Sequence, residues 1–232
     1  MATTKLQYLL RAPASEPVRE FRARVLDDLA PRLLEQGAAP LKVTLTAEEP
    51  PRLSVIPFRR ERIALFSLWD AGDPAEAAAR LTPRILSLGG GDWSGYRVEE
   101  SLPIAYRRDW RDGVATPGAG MLTLLNRKPG LSDEEFFHRW HAGHSGLSLL
   151  VHPLWCYVRN VVLGAVVPGS PAFEGIVEEH FREQRDLLNP VRFFGGPLLM
   201  AVNMARVGLD ILGWLDLATQ ENYLVVEQWV KS

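Results

Sequence analysis

Residues 127–162, RKPGLSDEEFFHRWHAGHSGLSLLVHPLWCYVRNVV, decide how the rest of the chain is read. Ser132 with Glu135 three residues later is a capping-box pattern, which places a helix start immediately before Phe136. From there Phe137, Trp140, His141 and His144 recur at spacings of three and four, so two aromatics and two imidazoles share one broad helical face. His152 and Pro153 make a turn, in which a histidine is ordinarily a surface residue. A strand follows, with Tyr157 and Arg159 on one face and Asn160 on the other.

Working outward, the first half shows the same alternation of elements. Lys5 to Leu10 reads as a strand, and from about Pro17 to Gln36 the residues Val18, Phe21, Val25, Leu29 and Leu33 draw an apolar stripe along a helix. Leu41, Val43 and Leu45 alternate with Lys42, Thr44 and Thr46, as in a strand with one wet face. Ile63 to Trp69 reads as a more central strand, Pro74 to Leu88 as a second helix stopped by Gly89, Gly90 and Gly91, and Tyr96 to Ser101 as a fourth strand. The glycine run follows a helix instead of opening one, which argues against a phosphate loop. Strand, helix, strand, strand, helix, strand is the split βαβ order of ferredoxin-like α+β folds.

The second half reads as a repeat of the first. A slide of 116 positions pairs Leu6 with Leu122, Leu9 with Leu125, Arg11 with Arg127, Pro13 with Pro129 and Phe21 with Phe137. Ile176 and Val177 then take the place of the third strand and Tyr223 to Trp229 that of the fourth, with an extra stretch, Pro190 to Trp214, before it. A ferredoxin-like sheet has one face covered by helices and one open, so two such sheets in one chain are expected to pack face to face. The expected units are 1–110 and 118–232, with the linker inside Arg107 to Gly120, where Gly113, Pro117, Gly118 and Gly120 gather.

Composition excludes several classes. Of the 232 residues 47% are hydrophobic and 23% charged, values of a folded globular chain. A net charge of −2 with interspersed signs offers no field for a nucleic-acid backbone. The single cysteine, Cys156, lies between Trp155 and Tyr157 and reads as a buried hydrophobe. No signal-peptide pattern opens the chain and no run of about 18 apolar residues occurs, so a cytoplasmic protein without a membrane partner is expected. The stretch Leu198 to Leu217 is interrupted by Asn203, Arg206 and Asp210 and reads as a buried or groove-lining helix.

The quoted stretch resembles the EthD family of the dimeric α+β barrel superfamily. The resemblance rests on Arg127 and Pro129 in the turn, Phe136 or Phe137, Trp140 and His144 four positions later, Tyr157 to Asn160, and the terminal strand Tyr223 to Glu227. It covers nearly all of the second half. Members often carry a further histidine shortly after the asparagine, where this chain has Val161 and Val162, and in the first half Arg24 and Asp28 stand opposite Trp140 and His144, so one site per chain is expected. The resemblance implies small-molecule chemistry of the kind found in ether degradation and fungal pigment synthesis. Related barrels include cofactor-free monooxygenases, cyclases, isomerases and dehydratases, and some bind haem; fold alone does not choose among them.

The residues add their own argument. An imidazole titrates near neutrality, so His144 suits general acid or base work, and the Trp140 indole suits a wall against a flat apolar ligand. Tyr157 could orient a substrate oxygen and Arg159 stabilise an enolate or carboxylate, which makes these two, with His144, the candidate catalytic set. Phe137, Trp140, His141, Asn160, His180, Met200 and Met204 are the candidate ligand-binding residues, the methionines as adaptable lining beside Phe193, Phe194 and Trp214. His138, His141 and His144 invite a metal reading, but steps of three drift around a helix and no cysteine or carboxylate pair completes a site, so no metal is expected. The leading reading is an enzyme of oxidoreductase, lyase or isomerase type that uses no bound cofactor and acts on a small hydrophobic molecule. A binding protein for an apolar pathway intermediate, or a haem protein with His144 as axial ligand, are the alternatives. Unpaired sheet edges would allow a homodimer.

Overall fold

The alternations of the sequence become eight strands in a computed structural model that describes residues 3–69 and 73–232. They are β1 (Thr3–Ala12), β2 (Leu41–Thr46), β3 (Arg62–Leu68), β4 (Asp92–Ile104), β5 (Ala119–Leu125), β6 (Leu154–Ala165), β7 (Gly175–Phe181) and β8 (Glu221–Lys231). Among the described residues four longer helices pack outside them, α1 (18–35), α2 (Pro74–Ser87), α3 (133–151) and α4 (Met200–Leu212), and two short ones, Gln184–Leu188 and Pro190–Phe193, precede α4. The middles of α1 and α3, Arg24–Leu29 and His138–His144, are wound as π-helix.

The strands close into one antiparallel barrel in the order β1-β3-β2-β8-β5-β7-β6-β4. Strands of the first half are contiguous as β4-β1-β3-β2 and those of the second as β8-β5-β7-β6. The two runs are stitched by backbone pairing of β2 with β8 and of β4 with β6. Closure corrects two expectations. The sheet edges thought free for pairing between chains are used within the barrel, so a second copy would have to engage another surface. The supposed wet face of β2 is also buried, because it points into the barrel.

Period-two alternation sorts the side chains. Leu6, Tyr8 and Leu10 of β1 pack outward under Phe21, Val25, Leu29 and Leu33 of α1, all nearly or fully buried. Leu9 points inward and joins Ile63, Leu65, Leu122, Leu124, Ile176, Tyr223 and Val225 inside the barrel. Burying each of those α1 side chains stabilises the helix on its sheet by about 1.5–3 kcal/mol. These placements also correct the slide of 116. Leu6 faces helices but Leu122 faces the interior, and a one-residue slip exchanges the two faces of a strand. A shift of 115 matches Leu9 with Leu124 and the buried Phe21 with the buried Phe136.

The polar half of the interior is an ionic network. Lys42 Nζ lies 2.8 Å from Glu178 and 2.9 Å from Glu227, and Lys5 bonds Glu100 and sits 3.6 Å from Glu178. Thr44 donates to Glu178 at 3.0 Å. Burial alone would push the Glu178 carboxyl up, but Lys42 and Lys5 outweigh it and hold it down at about 2. Asn160 belongs to this interior: its amide donates to the Ile176 carbonyl and to Glu178, so it serves the barrel and not the outer face. Helix α4 buries Asn203 and leaves Val202 and Leu209 exposed, and among the described residues no helix is long and apolar enough to cross a membrane.

Removing one partner of a buried pair leaves uncompensated charge, which is far more damaging than losing an exposed ion pair. Lys42→Met should therefore lower unfolding free energy by about 3–5 kcal/mol at pH 7 in urea titrations. The deficit should shrink toward pH 4, as Glu178 and Glu227 become able to take up protons in place of the lost cation.

Candidate functional site

The Ser132 cap forms as the sequence requires, accepting from the Glu135 N–H at 3.2 Å, and starts α3 over the outer face of β5, β7 and β6. Its inward stripe is Phe136, Trp140, the half-buried His144 and Ser148, at the same four-residue steps as Phe21, Val25, Leu29 and Leu33 on α1. The apolar stripe of α1 fills the space beneath it. On α3 the smaller and more polar His144 and Ser148 do not, and a cavity of about 330 Å³ remains, within the range of small-molecule sites. Its floor is Met121, Thr123, Val177 and Glu179 on the strands; its roof is Trp140, His144 and Ser148, with Val207 and Ile211 of α4 closing one side. Val55, Ile56 and Pro57, from the connection between β2 and β3, reach across from the first half to form a further wall. Gly175 lets the Trp140 ring sit directly on β7, since a Cβ there would run into the indole.

His144 is held at both ring nitrogens. Nδ1 lies 2.7 Å from Asp210 Oδ2 and Nε2 lies 3.2 Å from Ser148 Oγ, while the ring rests 5.1 Å from that of Trp214. Asp210 also accepts from Trp214 Nε1 at 3.3 Å. Burial would raise the Asp210 carboxyl, but the hydrogen bond and charge of His144 outweigh it and keep it low. An ionised Asp210 makes Nδ1 the donor, so Nε2 is the nitrogen that exchanges a proton with Ser148. Serine, histidine and aspartate stand in the order of a hydrolytic triad. Ser148 lies within a helical turn whose backbone N–H groups are bonded inside the helix, so they supply no oxyanion hole, and the hydroxyl is better suited to relaying a proton.

Tyr157 lines the cavity and its hydroxyl meets Ser145 Oγ at 3.3 Å; burial and then nearby Glu179 push it up to about 12, so it acts as a hydrogen-bonding group. Arg159 does not reach the cavity. It donates to Ser145 Oγ at 2.9 Å and to the His141 carbonyl, and so acts on Tyr157 through Ser145. Phe137 and His141 flank the stripe instead of lying on it, because the π-wound turn redistributes residues that a regular helix would align. The His141 ring packs against Trp140 at 4.7 Å, and burial with the neighbouring Arg159 depresses it to about 4.

His180 points into the barrel end, with Nε2 2.8 Å from the Pro117 carbonyl, and Met200 and Met204 pack behind the wall in the core around Phe193 and Phe194. His152, expected at the surface, is buried against Phe193 at 4.0 Å by the segment before α4, and its burial lowers it to about 4. Cys156 is buried, as expected, and burial raises its thiol to about 11. His138 is exposed and the three histidines diverge; among the described residues no cluster could hold a metal ion.

Three residues outside the candidate set meet at this site, Ser148, Asp210 and Glu179. Asp210 was visible as a charge interrupting an apolar helix. Glu179 was visible in Glu178-Glu179, since neighbours on a strand face opposite sides. Glu178 enters the ionic interior. Glu179 faces the cavity, is 8% exposed and has no hydrogen-bond or ion partner among the described residues; burial raises it to about 7.

A protein described as anthrone oxidase-like aligns over 97% of this chain and 90% of its own, at 11% identity and a TM-score of 0.55. A monooxygenase candidate from Fusobacterium nucleatum aligns over 99% and 93%, at 7% identity and a TM-score of 0.54. The likeness shows the fold. The chain is an eight-stranded closed antiparallel barrel with helices outside it, a fold similar to that of both neighbours, and it spans nearly the full length of each. No protein-family model matches it, and neither does any curated protein.

The raised Glu179 sets a pH dependence. Its folded value of about 7 exceeds the ordinary 4.5, so its contribution is fully present below pH 4.5 and is lost as pH rises through 7. Glu179→Gln should thus stabilise the protein relative to the parent at pH 8, by on the order of 3 kcal/mol at most. The gain should fade by pH 4.5 in thermal melts; a gain independent of pH would mean the carboxyl titrates normally.

Proposed function

We propose that the chain is an EthD-like enzyme that takes a small hydrophobic or aromatic molecule into the cavity under α3 and acts on it by general acid–base chemistry. The observation that carries this reading is the His144–Asp210 pair, set in an otherwise largely apolar cavity and linked to it through Ser148. A carboxylate that fixes the tautomer and orientation of an imidazole serves proton transfer, and the aromatic walls exclude water from the transfer. In this reading Trp140 is the ligand's wall, Tyr157 orients a substrate oxygen, and Arg159 positions Tyr157 by way of Ser145. The oxidase-like and monooxygenase names of the fold neighbours are compatible with it, as are isomerisation and dehydration.

The barrel is, in the same reading, a fused pair: the order β4-β1-β3-β2 is repeated by β8-β5-β7-β6, and the α1 and α3 stripes match at a shift of 115. The first copy has filled its helix–sheet space with Val25, Leu29 and Leu33, where the second has Trp140, His144 and Ser148, which accounts for one site per chain. Haem is not part of this reading: Ser148 Oγ stands 3.2 Å from Nε2, the nitrogen an axial bond would need. We read the reaction as one that uses no bound redox cofactor.

Native mass spectrometry of the purified protein should reveal a co-purified apolar ligand, which then serves as the assay molecule. His144→Ala should lower turnover by about 100-fold or more while ligand still binds, and Asp210→Asn by a smaller factor through loss of the correct tautomer. Ligand bound by the parent without any turnover would leave a carrier in place of an enzyme, and turnover unchanged in His144→Ala would remove His144 from the chemistry.

A further inference from the structure

We propose that Glu179 is the base of this site, and that it removes a proton from carbon next to the carbonyl of an uncharged ligand. The inference rests on the acid–base reading above and specifies its substrate class. The lining contains no lysine or arginine. A carboxylate or phosphate on the ligand would find no cationic partner there and would lie near two acidic groups, Glu179 and, behind His144, Asp210. An apolar molecule bearing a ketone meets no such penalty.

The contrast between two adjacent residues locates the base. Glu178 and Glu179 follow one another on β7, yet one is tied to Lys5 and Lys42 inside the barrel and the other stands unpaired on the cavity floor. Its cross-strand neighbours are Met121 on β5 and Tyr157 on β6, and the titratable groups across the cavity are His144 and the buried His152. None supplies a fixed positive charge. A buried carboxyl without a partner is unfavourable by several kcal/mol relative to an apolar side chain packed in its place, so the floor has no structural need of it. Carboxylates driven to opposite behaviour by their surroundings are a recurrent mark of acid–base assignment, and the buried, raised Glu179 is the one poised near neutrality.

Floor and roof then flank a flat ligand. The Glu179 carboxylate takes the proton from carbon; the electrons of that C–H bond form the carbon–carbon double bond of the enolate, and those of the carbonyl pass to its oxygen. That oxygen accepts a hydrogen bond from the Ser148 hydroxyl, which His144 positions. Return of the proton from Glu179, to the same carbon as exchange or to the γ-carbon of a β,γ-unsaturated ketone as isomerisation, restores the carbonyl, with no oxidant or reductant consumed.

Deuterium uptake at the benzylic carbon next to the carbonyl of 2-tetralone, followed by NMR in deuterated buffer with the full-length protein, tests this directly. The parent should accelerate exchange above buffer, with a rate that rises through pH 7 as Glu179 loses its proton. Glu179→Gln should lose about 100-fold and the rising limb, and Glu179→Asp should keep part of the rate. A carboxylated 2-tetralone should not be accelerated. Exchange in Glu179→Gln equal to the parent, acceleration of the carboxylated ketone to the same extent, or no acceleration by the parent would each overturn the proposal. Loss in His144→Ala with retention in Glu179→Gln would remove the role of Glu179 and leave the acid–base reading standing; retention in both would remove both.

Discussion

Lys42 holds the molecule in register. It extends from a strand of the first half into the barrel and meets two carboxylates of the second, Glu178 on β7 and Glu227 on β8. Because side chains alternate along a strand, fixing Glu178 inward fixes Val177 and Glu179 outward. The same argument applies to β6, where Asn160 bonds inward to Glu178 and Tyr157 is thereby turned toward α3. Interior polar pairing therefore determines which groups the outer face can present to a ligand.

What α3 then does with that outer face depends on a few side chains. Over the first sheet a stripe of phenylalanine, valine and leucine packs solidly, and nothing of chemical interest remains. Over the second, two smaller polar groups leave room, and α4 brings Asp210 to anchor the ring of one of them. The aromatic residues Trp140, Trp214 and Phe136 stabilise the edges of the gap without filling it. Solid packing and open space are thus divided between two regions that share one pattern of strands and helices.

Much of this was legible in the residues. The Ser132 cap, the stripes at three- and four-residue steps and the period-two strands reflect local forces, and they predicted the elements and the ferredoxin-like order. Lys42, Thr44 and Thr46 were misread as a wet face because a strand's alternation reports polarity, not whether the polar side meets water or a partner carboxylate. Phe137 and His141 were placed on the working face because the π-wound turn leaves no mark in spacing. Trp140, His144 and Tyr157 do line the cavity, and Ser148, one helical turn beyond His144, lay within reach of the same spacing, whereas Asp210 and Glu179 come to it from contacts between elements distant in sequence or from a choice of face. Those are long-range facts, and a single sequence does not record them.

The wall formed by Val55, Ile56 and Pro57 carries a separate consequence. These residues belong to a surface connection of the first half, and among the described residues they share no hydrogen bond with His144, Asp210 or Glu179. Surface connections tolerate insertion and exchange far better than strands or helices do. The far wall of the cavity and its titratable groups are thereby written on different stretches of the polypeptide, and remodelling that connection would reshape the space while His144, Asp210 and Glu179 stayed untouched.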